Sequence, residues 1–354
     1  MNDLNILMTG AGSPGFPGIL KSLKQVKERK IKIIGTDMKK EVAGFYLADK
    51  HYVVPPGDSP NYINTIKKIV KKEKIDVILP LTTNELLPLA RCKDEIEKLN
   101  TKVLVSDYKS LIVAINKAKT YQALSINKLF IPKFKVVHSL RDFIEAAKFL
   151  EYPKNPICVK PSISHGGIGL RIINPYINRF ELYSKYKPDS TFTTYEEIIS
   201  ILKEAKKFPE LVVMEYLPGD EYSVDVLAYK GKTLIAIPRL RLAIRAGITD
   251  IGMVISNKEL RDISKKIVKC LGLSYNINIQ FKYSSEKKPK LIEINPRVSG
   301  SIVFCTAAGV NLPYLAIKLA LGEKIKLPRI KYNLKMFRFL DEIFVEKNGK
   351  YFRL

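Results

Sequence analysis

The sequence predicts an α/β chain that opens with a parallel, doubly wound domain and continues into a region of paired strands. Three observations carry that expectation. A short apolar strand at 4–8 runs into the glycine turn 9–18 (TGAGSPGFPG) and then an amphipathic helix, the βα opening of a doubly wound domain. Strands and amphipathic helices go on alternating to about residue 110. Beyond that point polar and glycine turns separate strands of period-two pattern, clearest at 275–282 (YNINIQFK) and 291–301 (LIEINPRVSGS).

In the first domain strands are expected at 4–8, 31–35, 50–54, 77–80 and 103–106, with helices at about 19–27, 62–72 and 85–99. Gly10, Gly12 and Gly15 fit GxGxxG, and Asp37 lies just past the second strand, where a dinucleotide fold places its ribose-binding acid. Pro14 and Pro17 remove two amide donors from that loop, and a nucleotide-free domain uses the same glycines for a tight turn, so both readings stand.

From residue 111 the pattern changes. A helix carrying Asn116, Lys117 and Lys119 precedes a strand at 135–137 and a helix at 140–150. The strand 157–161 (ICVKP) presents Lys160 ahead of 162–169 (SISHGGIG) and a strand at 170–173. A lysine before such a hairpin gives a phosphate clamp its fixed cation, open backbone amides and hinge freedom; an ordinary glycine hairpin with a surface lysine has the same pattern. Residues 211–217 (LVVMEYL) read as a buried strand, 218–220 as a turn, and 221–229 as a strand setting Glu221, Ser223 and Asp225 against apolar neighbours. Such a linker holds an adenine with a carboxylate on its ribose, or merely connects two subdomains. In 233–245, Arg239, Arg241 and Arg245 share parity, giving a basic face for a carboxylate or phosphate, or solvated arginines on an edge strand. A turn is expected at 247–250, helices at about 258–270 and 313–321, and a strand-like tail at 330–354.

The hairpin between these helices carries the sharpest pattern. Period two puts Leu291, Glu293 and Asn295 on one face and Ile292 and Ile294 on the other. Its partner strand sets Ile277, Ile279 and Phe281 against Asn276, Asn278 and Gln280, across a polar turn at 284–288. Gln280, Glu293 and Asn295 then supply hard oxygen donors, with Arg297 at the strand's end, which suits a Mg2+ that keeps waters and shares phosphate oxygens. A half-exposed hairpin with its polar side in water gives the same pattern.

Composition narrows the classes. With 354 residues, 46% of them hydrophobic, the chain can bury a full core and divide into two or three domains. No run of about 18 apolar residues spans a bilayer, and Asn2 and Asp3 do not resemble a signal peptide, so a cytoplasmic protein with no membrane partner is expected. Cys92, Cys158, Cys270 and Cys305 show no CxxC spacing and sit in apolar or helical contexts, as buried reduced thiols do. The net charge of +25 would suit nucleic acid, but the lysines spread along the helices instead of forming one stripe, so no nucleic-acid partner is expected.

The order of the parts is a helix lysine, a strand-end lysine, a glycine flap, an adenine-type linker and a Gln/Glu/Asn hairpin followed by Arg. It resembles the ATP-grasp superfamily, in particular the synthetase halves of the carbamoyl phosphate synthase large subunit and its stand-alone carboxylate-amine ligase relatives. Gln280 with Glu293, Asn295, Pro296, Arg297 and Ser299 is the most specific match. The resemblance implies a Rossmann-like pre-ATP-grasp domain over 1–110 and a two-lobed, α+β grasp. The small lobe, with lysine and flap, covers 111–190, the large lobe, with hinge and metal hairpin, covers 191–327, and a tail follows at 328–354. It further implies that Lys117 and Lys160 bind ATP phosphates beneath a flap containing Ser164, Gly166, Gly167 and Gly169. Glu215, Tyr216 and Leu217 would hold adenine through the main chain, and Glu221 the ribose. Gln280, Glu293 and Asn295 would ligate Mg2+ or Mn2+, and Arg297 would act with Lys160 on the transferring phosphoryl group.

Arg239, Arg241, Arg245 and Ser299 are assigned to the acceptor. The implied reaction activates a carboxylate as an acyl phosphate, which an amine or ammonia captures. Small-molecule substrates are the expected partners, and a homodimer is permitted. Met214 stands where relatives often carry an acid, and Asn116-Lys117 fits the family's Asp-Lys pattern better than Lys119 does. One half plus a short tail favours a ligase acting on another acid over carbamoyl phosphate synthesis. Phosphorylation of bicarbonate or carbamate, an NAD(P)-linked oxidoreductase built on Gly10, Gly12, Gly15 and Asp37, and a nucleotide-binding protein without turnover are the alternatives.

Overall fold

The computed structural model describes residues 2–126, 130–164, 166–185, 191–245 and 247–353. Five parallel strands, β1 (Leu4–Thr9), β2 (Ile31–Asp37), β3 (Lys50–Val53), β4 (Val77–Leu79) and β5 (Lys102–Val103), form one sheet in the order β3-β2-β1-β4-β5. The continuous apolar run of β1 reflects cover on both faces. Ile6 and Met8 pack in one cluster with Phe16 and Leu23, whereas Leu7 joins Tyr62 and Ile66 in another.

A second sheet, β6 (Phe134–Val137), β7 (Ile157–Pro161), β8 (Arg171–Ile173), β9 (Phe192–Thr193) and β10 (Leu211–Glu215), has the order β6-β10-β7-β8-β9. A third contains β11 (Glu221–Tyr229), β12 (Lys232–Arg245), β13 (Ile248–Val254), β14 (Tyr275–Tyr283), β15 (Pro289–Asn295) and β16 (Lys335–Phe337), ordered β15-β14-β11-β12-β13-β16. Two short strands, β17 (Phe344–Val345) and β18 (Tyr351–Phe352), pair with each other. The mixture of a parallel sheet with largely antiparallel ones is the α/β and α+β composition expected.

Several local expectations change. The chain at 247–250 makes its turn at Gly247 and is already strand from Ile248, because β13 pairs with β12. That pairing makes β12 an interior strand rather than an edge. The helix expected at 85–99 is two, Leu86–Arg91 and Lys93–Glu97, broken where Cys92 leaves the helical region. Of the cysteines only Cys158 and Cys305 are buried; Cys92 is partly exposed, Cys270 is exposed, and all four are free thiols. Among the described residues no helix is long and apolar enough to cross a membrane.

The chain divides into two compact units. One comprises Met1–Ile115, Glu221–Gln280 and Ile294–Leu354, the other Asn116–Asp220 and Phe281–Glu293. In the first, the parallel sheet shares a core with distant sequence: Leu4, Phe16, Leu227, Ile237, Phe304 and Ile317 belong to one cluster. Arg29, in the same unit, donates to both Glu323 carboxylate oxygens at 2.7 and 2.8 Å.

The glycine loop owes its composition to this packing. Asp37 accepts from the Gly12 amide at 2.7 Å and the Lys39 amide at 2.9 Å, so the acid at the end of β2 closes the loop itself. A Cβ on Gly15 would stand 2.6 Å from the Gly300 Cα, a contact that backbone on both sides cannot relieve. Gly15→Ala should therefore cost about 1–3 kcal/mol of stability, read by urea unfolding, even though its φ of −84° suits alanine.

Candidate functional site

The second unit gathers two lysines. The helix Lys117–Ile126 carries Lys117 and Tyr121 one turn apart, hence on one face. Asn116 accepts the Lys119 amide at 2.9 Å, stabilising the helix start. Lys117 is 8% exposed, and its ammonium donates to the Ser164 carbonyl at 3.0 Å and hydroxyl at 3.1 Å; Lys119 is exposed. Burial pulls the Lys117 pKa down to about 8, against the charge of Glu293, while Lys160 lowers it further. Lys160, at the end of β7, donates to the Ile292 carbonyl at 2.9 Å and the Tyr121 hydroxyl at 3.2 Å.

The flap following β7 is built for backbone exposure. Gly166, Gly167 and Gly169 have φ of +62°, +79° and +78°, and a Cβ at Gly169 would also meet the Pro161 ring at 2.6 Å. Position 165 of the expected flap lies outside the described residues. In the linker, the Glu215 amide donates to the Lys133 carbonyl at 3.0 Å, and its carboxylate accepts the Lys133 amide at 2.8 Å. The Tyr216 amide donates to the Pro156 carbonyl at 3.2 Å, and Leu217 and Met214 are buried. The linker thus has an apolar wall and fixed strand ends, with the Lys282 ammonium 5.4 Å from the centre of the Tyr216 ring.

The first unit holds a buried polar network. Arg239 and Asp225 are each 1% exposed and pair at 2.7 Å. Asp225 also accepts from Asn278 at 2.9 Å and contacts the Cys305 thiol at 3.4 Å, and Arg239 reaches the Ser299 hydroxyl at 3.4 Å. Gln280 donates to Asn278 at 3.2 Å, and Arg297 to the Val298 carbonyl at 2.8 Å and Asn295 at 3.4 Å. The polar side of β14 is therefore not a solvated face: Asn276 and Asn278 are buried and only Gln280 is partly exposed. Leu291, which shares parity with Glu293 and Asn295, is fully buried while both of those are partly exposed. Removing Asp225 strands a buried guanidinium, so Asp225→Ala should cost about 3–5 kcal/mol in urea unfolding.

The three arginines of β12 do not form one open basic face. Arg241 pairs with Glu221, its direct neighbour across the strands, and donates to Thr249 at 3.1 Å and the Gly247 carbonyl at 2.8 Å. Arg245, beyond a register shift between Arg241 and Ile244, meets Asp250 at 3.1 Å. Glu221, expected on a ribose, is thus engaged by Arg241. An interior strand brings acids of β11 and β13 beside these cations, which parity alone does not reveal.

Four residues of these networks were not singled out from the sequence. Tyr121 gave no signal beyond lying four residues after Lys117. Asp225 and Asn278 lay in polar alternations already noticed, and their joint burial required the sheet order. Arg338, in the tail, donates to the carbonyls of Thr249 at 3.2 Å and Gly300 at 3.3 Å, and burial lowers its pKa. Among the described residues no three His, Cys, Asp or Glu side chains cluster to hold a metal. An expected set with one carboxylate and two amides is not of that kind.

Residues 207–339 match the model described as "ATP-grasp in the biosynthetic pathway with Ter operon", and residues 6–104 that of the "PylC-like, N-terminal domain". The carbamoyl phosphate synthase large chain of Clostridium perfringens is 27% identical over 294 residues, covering 80% of this chain and 25% of that one. This chain therefore spans a quarter of that relative's length. A biotin carboxylase from Campylobacter jejuni, solved as a β-γ-ATP complex, superposes with a TM-score of 0.68 at 18% identity, over 94% of this chain and 74% of the other. The L-amino acid ligase of Bacillus licheniformis superposes with a TM-score of 0.61 at 18% identity, over 90% and 74%.

Proposed function

We propose that this chain is a member of the ATP-grasp superfamily and uses Mg-ATP to activate a carboxylate as an acyl phosphate, joining the acyl group to an amine or ammonia. The observation that carries this reading is the burial of Lys117 and Lys160 in one unit, close enough that the charge of Lys160 lowers the Lys117 pKa. Two buried like charges cost stability, and an anionic ligand offsets that cost. Lys117 is bonded to neutral oxygens of the glycine flap, so an incoming phosphate exchanges a neutral acceptor for a charged one. The apolar linker around Leu217 supplies the wall for an adenine.

Gln280, Glu293 and Asn295 fit a hard divalent cation in donor chemistry: each offers oxygen, and all are partly exposed. Gln280 gives its amide N–H to Asn278, leaving the amide oxygen on the other side of the planar group. When bound, Mg2+ neutralises phosphate charge. The chain's own residues do the rest by position. Lys117 and Lys160 hold phosphate oxygens, and Arg297 stabilises charge on the transferring group. A carboxylate oxygen attacks the γ-phosphorus and ADP leaves; the amine nitrogen then attacks the acyl carbon and phosphate leaves. No general base is demanded for the first step, which depends on alignment and charge. The name of the L-amino acid ligase supports an amino acid as the first acid to try. Small molecules are the substrates in this proposal, with a homodimer as the assembly and the cytoplasm as the location.

The test is a thermal-shift comparison followed by an ADP-release screen over amino acids and small carboxylates paired with amines, with bicarbonate as a separate acceptor. Mg-ATP should raise the melting temperature and NAD(P)H should not, and one acid and amine pair should release ADP and yield an amide. Stabilisation by NAD(P)H alone would sink the reading. The engagement of Asp37 by the glycine loop's Gly12 amide and by the Lys39 amide favours the first outcome.

A further inference from the structure

We infer that Tyr121 is a positioning residue that sets the ammonium of Lys160 against the backbone of β15. Its ring is fully buried and meets Phe134 edge-on, with centroids 5.1 Å apart. Packing alone would be served by phenylalanine, so the hydroxyl is what needs explaining. It lies 2.9 Å from the Ile292 carbonyl, 3.1 Å from that of Leu291 and 3.2 Å from the Lys160 ammonium, and Lys160 itself donates to Ile292 at 2.9 Å.

A phenol has one proton to give and lone pairs to accept with. The two carbonyls accept, the ammonium donates, and the hydroxyl is placed to do both at once. Lysine brings four flexible carbons and a point charge, so its ammonium is poorly defined unless something fixes it. Here a rigid phenol on the helix Lys117–Ile126 and a strand carbonyl fix it together, one residue before Glu293. The same helix face thus supplies one cation, Lys117, and the group that places the other. Burial holds the Tyr121 phenol far above the ordinary tyrosine range, so it stays protonated and able to donate.

The role in turnover rests on the ligase reading, and the experiment separates the two. The full-length chain is compared with Tyr121→Phe, Lys160→Ala and the double variant. Hydrogen exchange of the Lys160 ammonium is followed by nitrogen NMR and assigned with Lys160→Arg. In Tyr121→Phe the ammonium protons should exchange about tenfold faster. The rate of ADP formation should fall about 10–100-fold. ADP affinity should change little, and Tyr121→Phe should add nothing to the loss already caused by Lys160→Ala. Unchanged exchange together with additive losses would overturn the inference. Faster exchange in a protein whose wild type forms no ADP with any acceptor would leave the positioning role standing and remove the ligase reading.

Discussion

Glu293→Ala should lower acceptor-dependent ADP formation by about 10²–10³-fold, the scale of losing a charge-stabilising group at a phosphoryl-transfer centre. Two effects combine. Glu293 is the one carboxylate among the three proposed cation ligands, so its loss leaves only the amides of Gln280 and Asn295. Its charge also raises the pKa of Lys117, which burial and Lys160 depress to about 8. Without Glu293 that pKa falls further, and at pH 8 a larger share of Lys117 is neutral. The two contributions separate with pH: assayed at pH 7, the variant should recover the lysine part of the loss and keep the metal part. The side chain is partly exposed, so the fold should survive with a melting temperature within about 4 °C of wild type. Retained turnover at saturating magnesium would refute the cation role.

Much of the fold was legible because it depends on patterns that are local. The run at 4–8 followed by glycines announces a βα unit from six or seven residues, and the alternations of β11 and β14 announce strands from single segments. What lay beyond reach depends on pairing. Arg239 and Arg241 looked like an open basic face because parity places side chains on a side of a strand without saying what crosses from the neighbours. On one side of β12, β11 supplies Glu221 and Asp225 to neutralise these cations, and on the other the strand at Ile248–Val254 makes β12 interior. The glycines at 10–15 show the same limit. Their spacing matched a dinucleotide loop, whereas Gly15 answers to Gly300, far away in sequence, and Asp37 answers to Gly12. Lys160 was legible as a candidate because a lysine beside a glycine flap is a local signal, and Lys117 only through the resemblance of Asn116-Lys117 to a family pattern. Tyr121 was not, since a tyrosine on a helix reads as core until its hydroxyl is seen between an ammonium and two carbonyls.

Lys117→Met should weaken nucleotide binding and stabilise the protein at once. A charge-assisted hydrogen bond from lysine to phosphate contributes about 2 kcal/mol, so the dissociation constant for Mg-ATP should rise roughly 30-fold by calorimetry. Stability moves the other way because the folded protein holds Lys117 at about 8, below the ordinary 10.5 of lysine. The unfolded chain binds that proton more tightly, so the cost of burying the charge is present in full below pH 8 and fades between pH 8 and 10.5. Methionine has a similar volume and no charge, and should add about 1–2 kcal/mol at pH 7 after allowance for the lost contact with Ser164. Its advantage should shrink steadily above pH 8. The wild type should show the matching signature in binding. Above pH 8 the free protein must take up a proton to engage phosphate, so the dissociation constant should climb up to about tenfold per pH unit, and the methionine variant should lack that slope. A wild-type affinity flat from pH 7 to 9, or a methionine variant no more stable than wild type at pH 7, would show that Lys117 is not held at a cost for an anion.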